Sequence, residues 1–100
     1  IRYTGIVQGV GFRPLVSMLA HSLGLTGFVY NDSQGVYVEI QGFLGELQLF
    51  LAAVQEEQPR LCRITSQTVQ HLTLNMHESD FVVQPSPLDE YTNGISRISA

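Results

Sequence analysis

From Val36 to Gln41 apolar and polar positions alternate without a break: Val36, Val38 and Ile40 against Tyr37, Glu39 and Gln41. A period of two puts one set on each face of a pleated chain, so this stretch predicts a half-buried β-strand. The chain opens the same way. Ile1, Tyr3 and Gly5 alternate with Arg2, Thr4 and Ile6 and run on to Val7, predicting a first strand. Then the period changes. Phe12, Val16, Leu19, Ala20 and Leu23 recur at helical spacing. Pro14 suits the first turn of that helix, where its missing N–H would have no partner anyway, and Gly24 is a natural stop. Thr26 to Asn31 reads as a second strand, and Asn31 to Gly35, "NDSQG", as turn chemistry. Phe43, Leu47, Phe50, Leu51 and Val54 form the apolar stripe of a second helix that ends before Pro59. Cys62 to about Leu74 predicts a long strand whose phase slips between Ile64 and Val69, the mark of a bulge or bend. Asp80 to Gln84 predicts a short last strand. Pro85, Pro87 and the polar run to Ala100 read as a linker or tail, which divides the chain into a domain over residues 1–85 and a tail over 86–100. No internal repeat is visible.

The order is β-α-β-β-α-β with a small extra C-terminal strand. It predicts an α+β, ferredoxin-like sandwich: an antiparallel sheet with two helices on one face. In its split βαβ unit strands 1 and 2 run parallel with strand 3 between them. The loop after strand 1 and the end of strand 2 then emerge at one edge, about two strand spacings of ~4.8 Å apart. Arg13 and Asn31 are brought to that edge despite their separation in sequence.

Composition narrows the partners. The chain has 100 residues, 44% of them hydrophobic and 14% charged, as expected of one folded domain. It has no lysine, and Arg2, Arg13, Arg60, Arg63 and Arg97 are scattered through a net charge of −4. Nucleic acid demands clustered cations, so it is not an expected partner. No apolar run reaches membrane-spanning length: the longest, Phe43 to Val54, is broken by Gly45, Glu46 and Gln48. The single cysteine, Cys62, alternates with Ile64 as a small core residue, and its solitude precludes an internal disulfide. A reducing, cytoplasmic setting fits. The chain begins within a strand pattern and has no initiator Met, so it reads as a fragment or as starting disordered.

Against this sparse background one stretch concentrates chemistry. "TGIVQGVGFRP" puts Gly5, Gly9 and Gly11 ahead of Phe12, Arg13 and Pro14. Glycines let successive backbone N–H groups turn inward as an anion nest. The helix start adds unpaired N–H groups and the positive end of a dipole. Arg13 adds a forked cation that matches phosphate oxygens. The stretch lacks the Gly-Lys-Ser/Thr ending of a P-loop and the third glycine of the dinucleotide fingerprint, whose place Pro14 takes. A plain strand-to-helix turn with a surface arginine accounts for the same residues equally well. Asn31 has two readings as well: a turn former, or a neutral amide that holds an attacking water without repelling an anion. His21, His71 and His77 show no metal-site spacing and read as solvent-facing or packing residues, and Asp32, Glu39, Glu46, Glu56 and Glu57 as solvated charge.

"GIVQGVGFRP" together with "GFVYNDSQGVYVEIQG", and the later Phe81-Val82-Val83, resembles the acylphosphatase family over roughly residues 1–85. The resemblance implies a phosphate cradle formed by Gln8, Gly9, Val10, Gly11, Phe12 and Arg13. Arg13 matches the family's phosphate-binding arginine and Asn31 its water-positioning asparagine. Pro14 and the "NDSQGV" turn are most similar to the N-terminal domain of the HypF-type carbamoyltransferases of nickel-iron hydrogenase maturation. Free acylphosphatases commonly end in an Arg-Tyr pair where this chain has Gln84-Pro85, which favours a domain of a longer protein. The resemblance implies hydrolysis or handling of carbamoyl phosphate or another acyl phosphate, with no metal or cofactor in this domain. Zinc and ATP are implied only for further domains, as is a HypE-type partner of the whole protein. A free-standing acylphosphatase and a non-catalytic ferredoxin-like regulatory module are the alternatives.

Overall fold

The computed structural model describes residues 1–75 and 78–84. His77, Pro85 and the 86–100 segment lie outside the described residues. The elements are β1 (Arg2–Ile6), α1 (Phe12–Ser22), β2 (Thr26–Asp32), β3 (Gly35–Gln41), α2 (Leu44–Glu57), β4 (Arg63–Thr68) and β5 (Phe81–Val83). They build a five-stranded sheet in the order β4-β1-β3-β2-β5. β1 and β2 each pair antiparallel with β3, which lies between them, so β1 and β2 run parallel. The sheet is mixed: β5 adds to the outer side of β2 in parallel, with Gly27 opposite Phe81 and Val29 opposite Val83. This is the ferredoxin-like α+β arrangement.

Tyr3, Val29, Val36 and Val38 project from one face of the sheet into a core closed by Phe12, Val16, Leu19 and Ala20 of α1 and by Phe50 and Val54 of α2. Each large apolar side chain buried there contributes about 1.5–3 kcal/mol. The opposite face carries Phe28, Tyr30 and Tyr37, whose rings lie 5.3–6.1 Å apart. Arg2 sits over Tyr37 and donates to Asp32 Oδ1 at 2.5 Å.

Four expectations change. β4 stops at Thr68 instead of running to about Leu74, because its neighbour among the described residues, β1, begins at Arg2, which pairs with Thr68. Val69, Leu72 and Leu74 are consequently exposed. The slip foreseen between Ile64 and Val69 is present: Thr4 faces Ser66 and Gly5 faces Ile64, leaving Thr65 as the extra residue of a bulge. Gly5 is required there, since a Cβ would stand 2.1 Å from the Arg63 carbonyl oxygen. Phe43 does not join the stripe of α2. It is the extended residue preceding the helix and is 83% exposed. The turn between β2 and β3 shrinks to Ser33–Gln34, so Asn31 is a ladder residue opposite Val36 and the turn-former reading fails. Asp32 and Glu39 are not merely solvated charge. Asp32 receives Arg2 and the Gln34 N–H, and Glu39 receives the Tyr37 hydroxyl at 2.6 Å.

Candidate functional site

Parallel β1 and β2 finish at the same edge of the sheet. From β1 the chain enters the loop that leads into α1. Gly9 and Gly11 hold φ values of +70° and +82°, a left-handed backbone that side-chain-bearing residues rarely adopt. Gly11 is the residue preceding α1. No side chain caps the helix there, and its first turn contains no acidic residue. Among the described residues, no turn or loop backbone hydrogen bond engages the N–H of Gln8, Gly9, Val10 or Gly11. Exposed glycines, unclaimed amides and an uncapped helix start give this edge a concentration of donors with positive polarity.

Gln8 ties the loop to the neighbouring hairpin. Its side-chain Nε2 donates to the Asp32 carbonyl at 2.6 Å and to the Gly35 carbonyl at 3.2 Å. Its side-chain NH2 is therefore engaged in holding the loop against the end of β2. Phe12 likewise turns its ring into the core, edge-to-face with Tyr3 at 5.1 Å, which fixes the first residue of α1. Val10 is half-buried against the core. Arg13 is the second residue of α1 and is half-buried. Asn31 is 6% exposed on the helix-covered face, and its Oδ1 is sealed from solvent without a hydrogen-bond partner.

Asp32, next along β2, is held below the usual carboxylate range, first by the hydrogen bond from Arg2 and also by the Gln34 and Gly35 amides, against an opposing effect of burial. Arg2 is thereby engaged on the far face of the sheet. Cys62 is buried, and burial pushes its thiol up. His21 is exposed, with Nδ1 3.4 Å from Ser17 Oγ and Nε2 3.2 Å from Asp80. Among the described residues no three His, Cys, Asp or Glu side chains group as a metal site, and no helix is long and apolar enough to cross a membrane.

A cavity of about 430 Å³ lies at the opposite end of the sheet, lined by Ile1, Ile40, Leu44, Leu47, Leu51 and Leu72 among others. Its position at the start of β1 and the end of β3 separates it from the glycine loop by the length of the strands. Sequence reasoning had no hold on one residue near the loop: Tyr3. It reads as an ordinary core position, yet its hydroxyl is fully buried and has no partner.

The fold and the loop-to-helix edge define an acylphosphatase-like α+β domain. The family model for acylphosphatase matches residues 1–83, and the chain belongs to that family. It is 38% identical over 85 residues to an acylphosphatase of Thermotoga maritima, covering 84% of this chain and 92% of that protein. It is 48% identical over 64 residues to the carbamoyltransferase HypF of Rhodobacter capsulatus, covering 64% of this chain and 8% of that protein. A solved structure of full-length HypF in its phosphate- and nucleotide-bound form superposes with a TM-score of 0.82 at 36% identity. That match covers 85% of this chain and 11% of the other. The chain thus spans under a tenth of the Rhodobacter carbamoyltransferase and most of the Thermotoga acylphosphatase.

Proposed function

We propose that this domain hydrolyses acyl phosphates at the glycine-loop edge, and that carbamoyl phosphate is its substrate within a HypF-type carbamoyltransferase. The observation that carries the reading is the uncapped start of α1, preceded by two left-handed glycines and tied by Gln8 to the end of β2. Such an edge suits a phosphoryl group: amides of Gln8 to Phe12 and the Arg13 guanidinium receive its oxygens and stabilise the charge that grows in the transition state. Asn31 holds the attacking water. The water oxygen bonds to phosphorus as the bond from phosphorus to the acyl oxygen breaks. Inorganic phosphate and a carboxylate or carbamate result, and the water's proton passes to solvent. A carboxylate-type leaving group departs without a strong general acid, so the reading asks for no cofactor in this domain.

In the longer protein, zinc and ATP would serve further domains, and the carbamoyl group would pass towards a HypE-type partner for cyanide-ligand synthesis. The similarity to HypF from Rhodobacter and to the full-length HypF structure supports that setting. The test compares release of phosphate from carbamoyl phosphate and from benzoyl phosphate by the wild type and by Arg13→Ala. Hydrolysis that depends on Arg13 and favours carbamoyl phosphate is expected. Equal rates for wild type and Arg13→Ala would remove the reading. A wild type that favours benzoyl phosphate would remove the carbamoyl assignment alone.

A further inference from the structure

The cavity far from the glycine loop lies between two stretches of chain that face each other without pairing. On one side is the end of β3. Ile1 and Val38 exchange both backbone hydrogen bonds, Ile1 N to the Val38 carbonyl at 2.5 Å and Val38 N to the Ile1 carbonyl at 2.8 Å. In an antiparallel ladder the residue two positions on repeats that orientation, so Ile40 aims its N–H and C=O at the same side. Gly27, the partner of Ile40 in β2, agrees: its N–H turns the other way, to the Asp80 carbonyl. Among the described residues β1 places nothing opposite Ile40, because Arg2 faces Tyr37 and Ile1 bonds to Val38. On the other side, Thr68 faces Arg2 and the chain runs on from Val69 to Asn75 outside any ladder. Where β1 lies between the two sides they stand two strand spacings, about 9.6 Å, apart. At the far end the Gln41 side chain reaches across: Nε2 donates to the Asn75 carbonyl at 2.9 Å, and Oε1 accepts from the Asn75 N–H at 2.5 Å. The cavity of about 430 Å³ adjoins both Ile1 and this clasp and is lined by Leu44, Leu47 and Leu51 of α2. Val69, Leu72 and Leu74 on its margin are exposed.

We infer that this cavity seats one extended peptide segment, the residues joined to the amino side of Ile1, which carry β1 onward between β3 and the 69–75 stretch. Continuing the register, the residue next to Ile1 falls opposite Glu39 and the one before it opposite Ile40. The latter exchanges both backbone bonds with Ile40. It shares the helix-covered face with Val38 and Ile40, so an apolar side chain there packs beneath Leu47 and Leu51. The former lies on the open face beside the Glu39 carboxylate, where arginine or lysine is the matching cross-strand partner. Burial lowers the pKa of the Ile1 amine. A charge is poorly placed at that point, and a peptide bond removes it. Main-chain bonds to β3 then supply affinity and the alternating side chains supply specificity, as in strand addition generally. Nothing in this placement depends on the chemistry at the glycine loop, which lies at the other end of the strands.

The test measures amide hydrogen exchange by NMR and thermal unfolding on three proteins: the 100-residue chain, the same chain with Ser-Val-Arg added ahead of Ile1, and the same chain with Ser-Asp-Glu added there. Ser-Val-Arg should slow exchange of the Ile40 N–H at least about tenfold, the size of one hydrogen bond gained. Its Tm should rise by about 4–8 °C. Ser-Asp-Glu should do neither, since it sets an acid against the apolar wall and a like charge beside Glu39. Acetyl-Ser-Val-Arg-amide at millimolar concentration, added to the 100-residue chain, should leave Ile40 unprotected. An Ile40 N–H that exchanges alike in all three proteins overturns the proposal, as does one already as protected as Val38 in the 100-residue chain. Equal protection by Ser-Asp-Glu overturns the side-chain pattern. Protection by the free peptide, with none from the Ser-Val-Arg extension, overturns the assignment to residues joined to Ile1. Exchange is read without substrate, so a protein that hydrolyses no acyl phosphate but protects Ile40 overturns the acyl-phosphate reading and upholds the seat.

Discussion

At one end of the sheet β1 and β2 run out into a glycine loop, an uncapped helix and a half-buried arginine. At the other, β3 turns into α2 beside a cavity of about 430 Å³ walled by Ile1, Ile40, Leu44, Leu47 and Leu51. By shape alone the second end is the more inviting. By chemistry it offers apolar walls and a rim of glutamines, with His71 exposed. A small anion needs converging donors and very little enclosed volume, so the glycine-loop end is the better equipped of the two. Concavity measures room, whereas phosphoryl transfer is governed by the placement of charge.

The sharpest way to break that contrast is to remove the cation from one end and the imidazole from the other. Arg13→Ala should lower kcat/KM for benzoyl phosphate by about 10²–10³-fold, and Arg13→Lys should recover only part, having charge without the fork. His71→Ala at the far end should leave the rate unchanged. Steady-state kinetics on the three variants checks this, and a rate loss in His71→Ala equal to that in Arg13→Ala would dissolve the distinction.

Asn31→Ala should lower kcat by about 10²-fold while phosphate affinity, read by NMR titration, stays near the wild-type value. Asn31→Asp should be at least as harmful, since a carboxylate repels the substrate. If Asn31→Ala binds phosphate poorly and turns over normally, the residue belongs to binding alone.

A smaller effect is expected from Gly11→Ala. Its φ of +82° is costly for any residue with a Cβ, by about 1–2 kcal/mol. Relaxation of the loop should weaken phosphate binding several-fold, while the far cavity keeps its shape. Phosphate titration with chemical shifts read at Leu47 separates the two ends.

The least effect concerns Arg2 and Asp32. The folded-state pKa of Asp32 is depressed, so the pair's contribution is fully present above the ordinary carboxylate pKa and is lost as pH falls through the lowered one. Urea unfolding should show Asp32→Asn losing at most about 1 kcal/mol at neutral pH. The gap to wild type should close in acid. An equal gap at both pH values would assign the loss to packing.

The strand β3 and helix α1 were legible in the sequence because each has one buried face and a clean period, from Val36 to Ile40 and from Phe12 to Ala20. The end of β4 was not. Val69, Leu72 and Leu74 continue an apolar rhythm, but a strand needs a neighbour, and the length of β1 is information held elsewhere in the chain. Phe43 failed for a related reason: periodicity counts residues and does not see that the backbone is still extended at the helix entry. Within the candidate site, the glycines and Arg13 stood out by type and spacing, whereas Asn31 drew attention only through the strand order that brings it to the same edge and through the family resemblance. Gln8 was picked as part of the cradle, but its side-chain partners, the Asp32 and Gly35 carbonyls, are 24 and 27 positions away and have no local signature. Tyr3 was invisible because an aromatic at a strand's inward position reads as core, and only the surroundings of its oxygen set it apart.

The parallel seam between β2 and β5 carries a consequence for biosynthesis. Gly27 N–H binds the Asp80 carbonyl and Gln84 N–H binds the Val29 carbonyl, so the outer edge of the Asn31 strand is closed by residues made some fifty positions later. Until Phe81 has left the ribosome, β2 presents a bare row of backbone donors and acceptors, open to pairing with the same strand of another nascent chain. Translation that pauses before Phe81 should therefore favour aggregates nucleated at the very strand that carries Asn31. Charged residues are few along that edge, which leaves the three residues of β5 as its chief guard.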